Sequence, residues 1–165
     1  MSISKDKSYG LRFENVWSLK NQDLLDEIVE AWAILGVVPE GQSSMDRAKQ
    51  VVYLVRNTDS KIVGISTTYI SFIPKLKNKL FVYRCLIFPK YRYPGLLAML
   101  TKMTLEYLES IHHSLNEKII GVITEIENKS LQKLNLAVLP SGFVFIGYSK
   151  RGNPVRVYYF KGAKI

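Results

Sequence analysis

Two apolar strands separated by one amphipathic helix limit the possible folds of this 165-residue chain more than any other feature. Residues 80–88 form a strongly apolar segment that ends at Pro89, and residues 119–126 form another. Between them, apolar side chains recur with helical spacing over residues 94–114. A strand, a helix and a strand in this order place both strands parallel in one sheet, and a nearly continuous apolar strand is typical of a sheet centre. The sequence therefore predicts an α/β fold.

Hairpins are predicted on both sides of this central unit. Further strands are predicted over residues 9–16, 51–56, 62–72, 143–149 and 155–160, with tight turns at residues 57–60 and 151–154. Further helices are predicted from the N-cap Asn21 to Gly36, from Ser43 or Ser44 to about Lys49, and over residues 129–139. We therefore expect one domain, residues 1–165, with a mixed central sheet of about seven strands flanked by about four helices. Residues 1–8 are expected to be flexible.

The charge of the chain favours anionic partners. The formal net charge is +9, and residues 128–165 contain seven Lys and Arg but no Asp or Glu. A surface of this kind attracts nucleic acid, a coenzyme phosphate or an acidic protein. An ordinary solvated surface rich in lysine is the alternative interpretation.

Several classes of protein are excluded by what the sequence lacks. No segment reaches the roughly 18 to 20 consecutive apolar residues that a membrane span needs, and the N-terminus has no apolar signal segment. A single cysteine, Cys85, forms no internal disulfide and excludes a zinc site built on several thiolates. We expect a cytoplasmic protein with no metal and no membrane partner.

The most informative stretch is the junction between the central strand and the long helix, residues 86–98. A short basic turn follows Phe88, and Pro94 lies at or near the first helical position. The N-terminus of a helix presents unpaired N–H groups and the positive end of a dipole, so it favours an anion. Gly95 allows a ligand to approach the backbone, and Lys90 and Arg92 add positive charge.

This junction resembles the central motif of the Gcn5-related N-acetyltransferase (GNAT) superfamily, which is Arg or Gln, two residues, Gly, one residue, then Gly or Ala. Arg92 and Gly95 match the motif, and the order of elements matches the GNAT fold over nearly the whole chain. Asn128 matches a recurring asparagine after the fifth strand. Two positions depart from the pattern: Leu97 replaces the last small residue, and Tyr93-Pro94 replaces a Gly-Lys pair. Proline lacks an N–H, so one phosphate donor is lost.

The resemblance implies a site for acetyl-CoA or another acyl-CoA as the donor substrate. The pyrophosphate would lie over the backbone of residues 92–98, and the pantetheine arm would pair with the end of the central strand. Asn128 would bind the pantetheine or position the thioester. The coenzyme residues implied in this way are Ile87, Phe88, Arg92, Tyr93, Gly95, Leu96, Leu97, Ala98 and Asn128.

The catalytic groups are less well matched. Many GNAT members use a carboxylate on the fourth or fifth strand as the base and a tyrosine on the last helix as the acid. Here the fourth strand has no acid, and residues 129–139 contain no tyrosine. The remaining catalytic candidates are Glu125, Tyr83 and Asn128. The alternatives are that Glu125 is an ion-paired carboxylate at a strand end and that Tyr83 is a core residue.

The acceptor is expected to be anionic or associated with nucleic acid. Lysines in residues 73–79 and tyrosines near the C-terminus combine positive charge with aromatic surface, which suits DNA or RNA. The leading hypothesis is an acyl-CoA-dependent N-acyltransferase that acts on an amine, as a monomer or homodimer. The alternatives are a degenerate, non-catalytic GNAT-fold module that binds proteins and a plain nucleic-acid-binding domain.

Overall fold

A mixed sheet of eight strands organises the chain, in a computed structural model that describes residues 3–6, 9–37 and 43–165. The strands are β1 (Ile3–Asp6), β2 (Leu11–Asn15), β3 (Val51–Arg56), β4 (Ile62–Ile73), β5 (Asn78–Ile87), β6 (Ile119–Glu125), β7 (Val144–Tyr148) and β8 (Pro154–Tyr159). Their order in the sheet is β1-β2-β3-β4-β5-β6-β8-β7. β5 and β6 run parallel, as the strand–helix–strand pattern predicts, whereas β6 and β8 are antiparallel.

The described residues also contain four α-helices. They are α1 (Gln22–Leu35), α2 (Ser44–Ala48), α3 (Leu96–Ile111) and α4 (Lys129–Gln132). The ends of α1 confirm the predicted capping residues, because Asn21 Oδ1 accepts a hydrogen bond from Leu24 N and Gly36 adopts a left-handed conformation at the C-terminus. No helix in the described part of the chain is both long and apolar enough to cross a membrane.

The chain divides into two compact units. The first comprises Met1–Thr68 and Cys85–Leu100, and the second comprises Tyr69–Arg84 and Thr101–Ile165. In the first unit, α1 buries Ile28 and Trp32 in a core that also contains Leu54. In the second unit, the core contains Leu80, Ile123 and Val157. The single-domain assignment stays a prediction.

The predicted fold class is confirmed, and all seven predicted strands are present. β1 is an additional eighth strand that pairs antiparallel with β2. It falls within residues 1–8; of these, residues 1, 2, 7 and 8 lie outside the described residues, and the expected flexibility stays a prediction.

Two helix boundaries were predicted wrongly. α4 ends at Gln132 rather than near Leu139, and Val138 forms a bridge with Val144 instead. The apolar residues Leu134, Leu136 and Val138 alternate, which is strand spacing rather than helix spacing. α3 begins at Leu96 rather than Pro94, because Gly95 has a φ of 83°, which an α-helix excludes.

Candidate active site

The junction between β5 and α3 lies in the first unit and is built from short, regular turns. Phe88 N donates a hydrogen bond to Val63 O at 2.9 Å, which keeps the chain in line with the sheet for one residue beyond β5. Pro89–Tyr91 then form a single 3₁₀ turn, in which Tyr91 N donates to Phe88 O at 2.8 Å. The left-handed Gly95 redirects the backbone so that α3 begins at the next residue. A residue with a Cβ would be strained at this position.

Three backbone donors at the start of α3 are free. Within the described residues, the N–H groups of Gly95, Leu97 and Ala98 have no hydrogen-bond acceptor, whereas Tyr93 N and Leu96 N bond within the turn. The space above the backbone is also open, because a Cβ added to Gly95 would meet no atom within 4 Å. Free N–H groups at the positive end of a helix dipole form a site for an anion.

Aromatic contacts hold this loop in place. The rings of Tyr93 and Tyr9 stack with centroids 4.3 Å apart and planes 6° from parallel, and Tyr91 meets Tyr93 edge-on. The hydroxyl of Tyr91 also accepts a hydrogen bond of 3.1 Å from Asn57 Nδ2. The free N–H groups therefore belong to a loop that is fixed by its own unit before any ligand arrives.

Arg92 lies on the surface and contacts the end of β5. Its Nε donates a hydrogen bond of 3.2 Å to Ile87 O, while its two terminal nitrogens have no partner in the described residues. Pantetheine, which is expected to pair with Ile87, would have to compete with Arg92 for Ile87 O, because this carbonyl already accepts a hydrogen bond. The guanidinium keeps two NH₂ groups available for a phosphate.

Glu125, the predicted base, lies at the end of β6 in the second unit and is held by several donors. Its Oε1 accepts hydrogen bonds from Ser149 Oγ at 2.7 Å and from Asn153 Nδ2 at 2.8 Å. Its Oε2 lies 3.1 Å from the guanidinium of Arg151, which also contacts Glu127 at 2.7 Å. Both oxygens of this carboxylate are thus engaged with the turn between β7 and β8.

These contacts make Glu125 a weak base. Partial burial acts to raise the pKa of its carboxyl, but the hydrogen bonds from Ser149, Asn153 and Arg151 outweigh burial and lower the pKa below its ordinary value of 4.5. A general base works best when its pKa lies near the working pH. The arrangement supports the ion-paired interpretation of Glu125 more strongly than the catalytic one.

Tyr83 is buried in the second unit, with 5% of its surface exposed. Its hydroxyl lies 3.0 Å from Thr101 Oγ1 on α3, and its ring packs against Phe143. The two hydroxyls share a buried hydrogen bond in which either oxygen can be the donor. The structure therefore supports the core interpretation of Tyr83.

Asn128 caps α4 and keeps one polar group available. Its Oδ1 accepts hydrogen bonds from Ser130 N and Leu131 N, so the side chain is oriented by the helix. Its Nδ2 has no partner in the described residues. This exposed amide nitrogen fits a hydrogen bond to a carbonyl of a bound ligand.

Sequence reasoning missed the residues that hold Glu125. Ser149 and Asn153 flank the Arg151-Gly152 turn, which was predicted only as a turn. Gln132 adds to the same network, because its Nε2 donates to Asn153 Oδ1 at 2.8 Å. The concentration of Ser, Arg and Asn in one hairpin turn was the available signal. No local signal linked this turn to Glu125 at the end of β6, which lies more than 20 residues earlier in the chain.

No protein-family model and no curated protein matches this chain, whereas many solved structures do. An acetyltransferase of the GNAT family from Streptococcus pneumoniae is 14% identical, with a TM-score of 0.64 over 91% of this chain and 99% of that chain. The ribosomal-protein-S5-alanine acetyltransferase from Vibrio fischeri is 10% identical, with a TM-score of 0.65 over 100% of both chains. AtaTR, in a structure bound with AcCoA, is 15% identical, with a TM-score of 0.60 over 92% of this chain and 94% of that chain.

These comparisons define the class of structure: the chain has the GNAT fold. The resemblance that the Arg92–Gly95 motif suggested is thereby confirmed at the level of the fold. At 10 to 15% identity, these comparisons show that the chains share a backbone fold, and they show nothing about shared activity.

Proposed function

We propose that this chain is an acyl-CoA-dependent N-acyltransferase that transfers an acetyl or related acyl group to an amine. The observation that carries the proposal is the set of three free N–H groups at the start of α3, on Gly95, Leu97 and Ala98. The GNAT resemblance implies pyrophosphate binding at these positions, and the stacking of Tyr93 on Tyr9 already fixes the loop. The AcCoA-bound relative supports an acyl-CoA ligand for this fold.

The other coenzyme contacts follow from the groups that remain available. Arg92 would turn its terminal nitrogens to a phosphate and release Ile87 O, which could then accept a hydrogen bond from an amide of the pantetheine. The backbone of Phe88 would extend that pairing by one residue. Leu96 contributes no donor, since its N–H bonds to Tyr93 O and its side chain is buried.

The reaction itself needs little from ionisable side chains. The amine nitrogen attacks the thioester carbon, the new C–N bond forms, the C–S bond breaks, and the proton lost by the amine balances the one gained by the thiolate. Because the pKa of Glu125 is lowered and Tyr83 is buried, neither side chain is well prepared to move that proton. We therefore assign most of the rate enhancement to the positioning of a neutral amine against the thioester.

The acceptor is proposed to be nucleic acid or an amine carried on it. The tip of the β4–β5 hairpin in the second unit carries Lys75 and Lys77, and neither has an ion pair in the described residues. On the same hairpin, Phe72 is 55% exposed and Arg84 lies over the ring of Tyr69 at 5.3 Å. Positive charge beside exposed aromatic rings is the usual surface for single-stranded nucleic acid.

Release of free thiol from acetyl-CoA tests this proposal when single-stranded RNA, duplex DNA, a lysine peptide and spermidine are compared as acceptors. The expected result is thiol release at least about tenfold faster with one of the nucleic acids than with spermidine, because a polyamine is repelled by the basic surface. A variant with Lys75→Ala and Lys77→Ala should raise the KM for the nucleic acid and leave hydrolysis of acetyl-CoA unchanged. Faster transfer to spermidine would contradict the acceptor assignment.

A non-catalytic GNAT-fold module is the second candidate. The observations that favour it are the fully engaged carboxylate of Glu125 and the lack of a tyrosine on α4. Acetyl-CoA binding without thiol release for any acceptor would support this alternative and contradict the enzymatic one.

A further inference from the structure

We propose that a basic groove in the second unit, at the C-terminal end of α3, is a binding site for a nucleotide. The groove has a volume of about 480 Å³, and its lining comes from residues 112, 113, 115–120 and 160–164. Its size falls in the range of small-molecule sites. It includes none of the residues assigned to acyl-CoA or to acyl transfer, so the proposal goes beyond the proposed function.

The charge of the groove selects an anion. Lys118, Lys161 and Lys164 line it, and none of them has an ion pair or hydrogen bond from its side chain in the described residues. Among the described residues of the lining, Glu117 is the only one with a carboxylate side chain, and it is paired at 3.1 Å with Lys79. Three free ammonium groups around a concave surface match a phosphate, which accepts several charge-assisted hydrogen bonds.

Ring surfaces on one side of the groove suit a planar group. The ring of His112 contacts those of His113 and Phe160, with centroid distances of 3.7 Å and 4.5 Å and planes tilted by 40° and 36°. Phe160 is buried, whereas His113 is exposed. A nucleobase placed on the exposed ring of His113 would bury apolar surface there. The combination of phosphate-binding lysines and a stacking surface points to a nucleotide rather than to a simple inorganic anion.

Hydrogen bonds hold the walls of the groove in place. Glu109 O accepts a hydrogen bond of 2.5 Å from Nδ1 of His112, which fixes the ring and leaves Nε2 for a ligand. The carboxylate of Glu109 accepts hydrogen bonds from Lys161 N at 2.6 Å and from the hydroxyl of Tyr158 at 3.0 Å. The backbone of the segment that carries Lys161 is therefore anchored to α3, while its ammonium group stays available.

The two histidines provide a direct measurement, because His112 and His113 are the only histidines in the chain. Their imidazole proton signals in NMR spectra report on this groove without interference from other residues. The probes are adenosine 5′-monophosphate, adenosine, inorganic phosphate and a short single-stranded RNA. We expect saturable shifts with the monophosphate, with a Kd below about 1 mM. The same titration with the RNA distinguishes a free nucleotide from one in a polynucleotide, according to which binds more tightly.

Matched variants separate the groove from general positive charge. Lys118→Ala with Lys161→Ala should weaken binding of the monophosphate by about tenfold or more, because two charge-assisted contacts are lost. Lys133→Ala with Lys150→Ala removes the same charge from exposed positions outside both proposed sites and should change affinity by less than about twofold. The proposal is overturned by unmoved imidazole signals, by equal losses in the two variants, or by inorganic phosphate binding as tightly as the monophosphate. None of these outcomes depends on acyl transfer.

Discussion

The loop that precedes α3 and the end of β6 differ in how many of their polar groups are already bonded. In the loop, the N–H groups of Gly95, Leu97 and Ala98 have no acceptor in the described residues. At the end of β6, both carboxylate oxygens of Glu125 are occupied by side chains of the β7–β8 turn. The resemblance to the GNAT motif implied coenzyme binding for the first region, and Glu125 in the second was the remaining candidate for the base.

The difference indicates which of the two roles the chain is better built for. Free donors on a fixed loop can bind an anion without first giving up other hydrogen bonds. A carboxylate with three donors must lose one of them, and its lowered pKa makes it a poor acceptor for a proton at neutral pH. We therefore expect changes in the loop to have large effects on coenzyme affinity and changes at Glu125 to have smaller effects on turnover.

The largest effect is expected for Gly95→Trp. The indole would fill the open space over the free N–H groups, so affinity for acetyl-CoA should fall by at least about 100-fold, as expected when two charge-assisted hydrogen bonds are lost. Isothermal titration calorimetry measures this change. Gly152→Trp is the matched control, because Gly152 also has a left-handed φ and open space around it. Equal losses in both variants would mean that backbone strain, rather than the loop, explains the effect.

A smaller effect is expected for Arg92→Ala. Loss of the guanidinium removes one phosphate contact, so the Kd for acetyl-CoA should rise by about tenfold. Arg92→Lys should recover part of this affinity, since an ammonium keeps the charge but not the forked geometry. The comparison with dephospho-CoA shows whether Arg92 contacts the pyrophosphate or the 3′-phosphate. An unchanged Kd for Arg92→Ala would remove Arg92 from the coenzyme site.

Glu125→Gln should affect stability more than chemistry. Turnover is expected to change by less than about fivefold, well below the 100-fold or more typical of a lost general base. The folded-state pKa of Glu125 is lowered, so its contribution to stability is present above pH 4.5 and is lost as the pH falls through the folded value. Urea unfolding at about pH 6 and about pH 3.5 should therefore show a smaller acid-induced loss in the variant than in the wild type. A large fall in turnover with unchanged stability would restore Glu125 as the base.

The smallest effect is expected for Arg151→Ala. This side chain is 64% exposed, so solvent screens its ion pairs and they contribute little to the free energy of unfolding. Salt should reduce the difference between variant and wild type further. Denaturant unfolding at low and high ionic strength measures both quantities. A large loss of stability that persists in high salt would show that the β7–β8 turn depends on Arg151 for more than an exposed ion pair.

Local sequence signals predicted most of the fold. The N-cap Asn21 and the C-terminal Gly36 bounded α1 correctly, because capping depends on residues that are close together in the chain. The length of α4 was overestimated because Val138 pairs with Val144 across a loop, and this pairing overrides helix propensity. The partners of Glu125 were not predictable for the same reason: Ser149 and Asn153 lie 24 and 28 residues away. The free N–H groups at Gly95, in contrast, follow from a local strand–turn–helix pattern.

Calorimetric titration with acetyl-CoA at low and moderate salt, beside dephospho-CoA, shows whether the loop before α3 binds the coenzyme. We expect micromolar binding of acetyl-CoA that changes little with salt, because fixed N–H groups of the loop, rather than mobile lysines, supply most of the phosphate contacts. If no binding is detected at either salt concentration, the loop before α3 has the fold of a coenzyme site without its function, and the proposed acyl-CoA site is wrong.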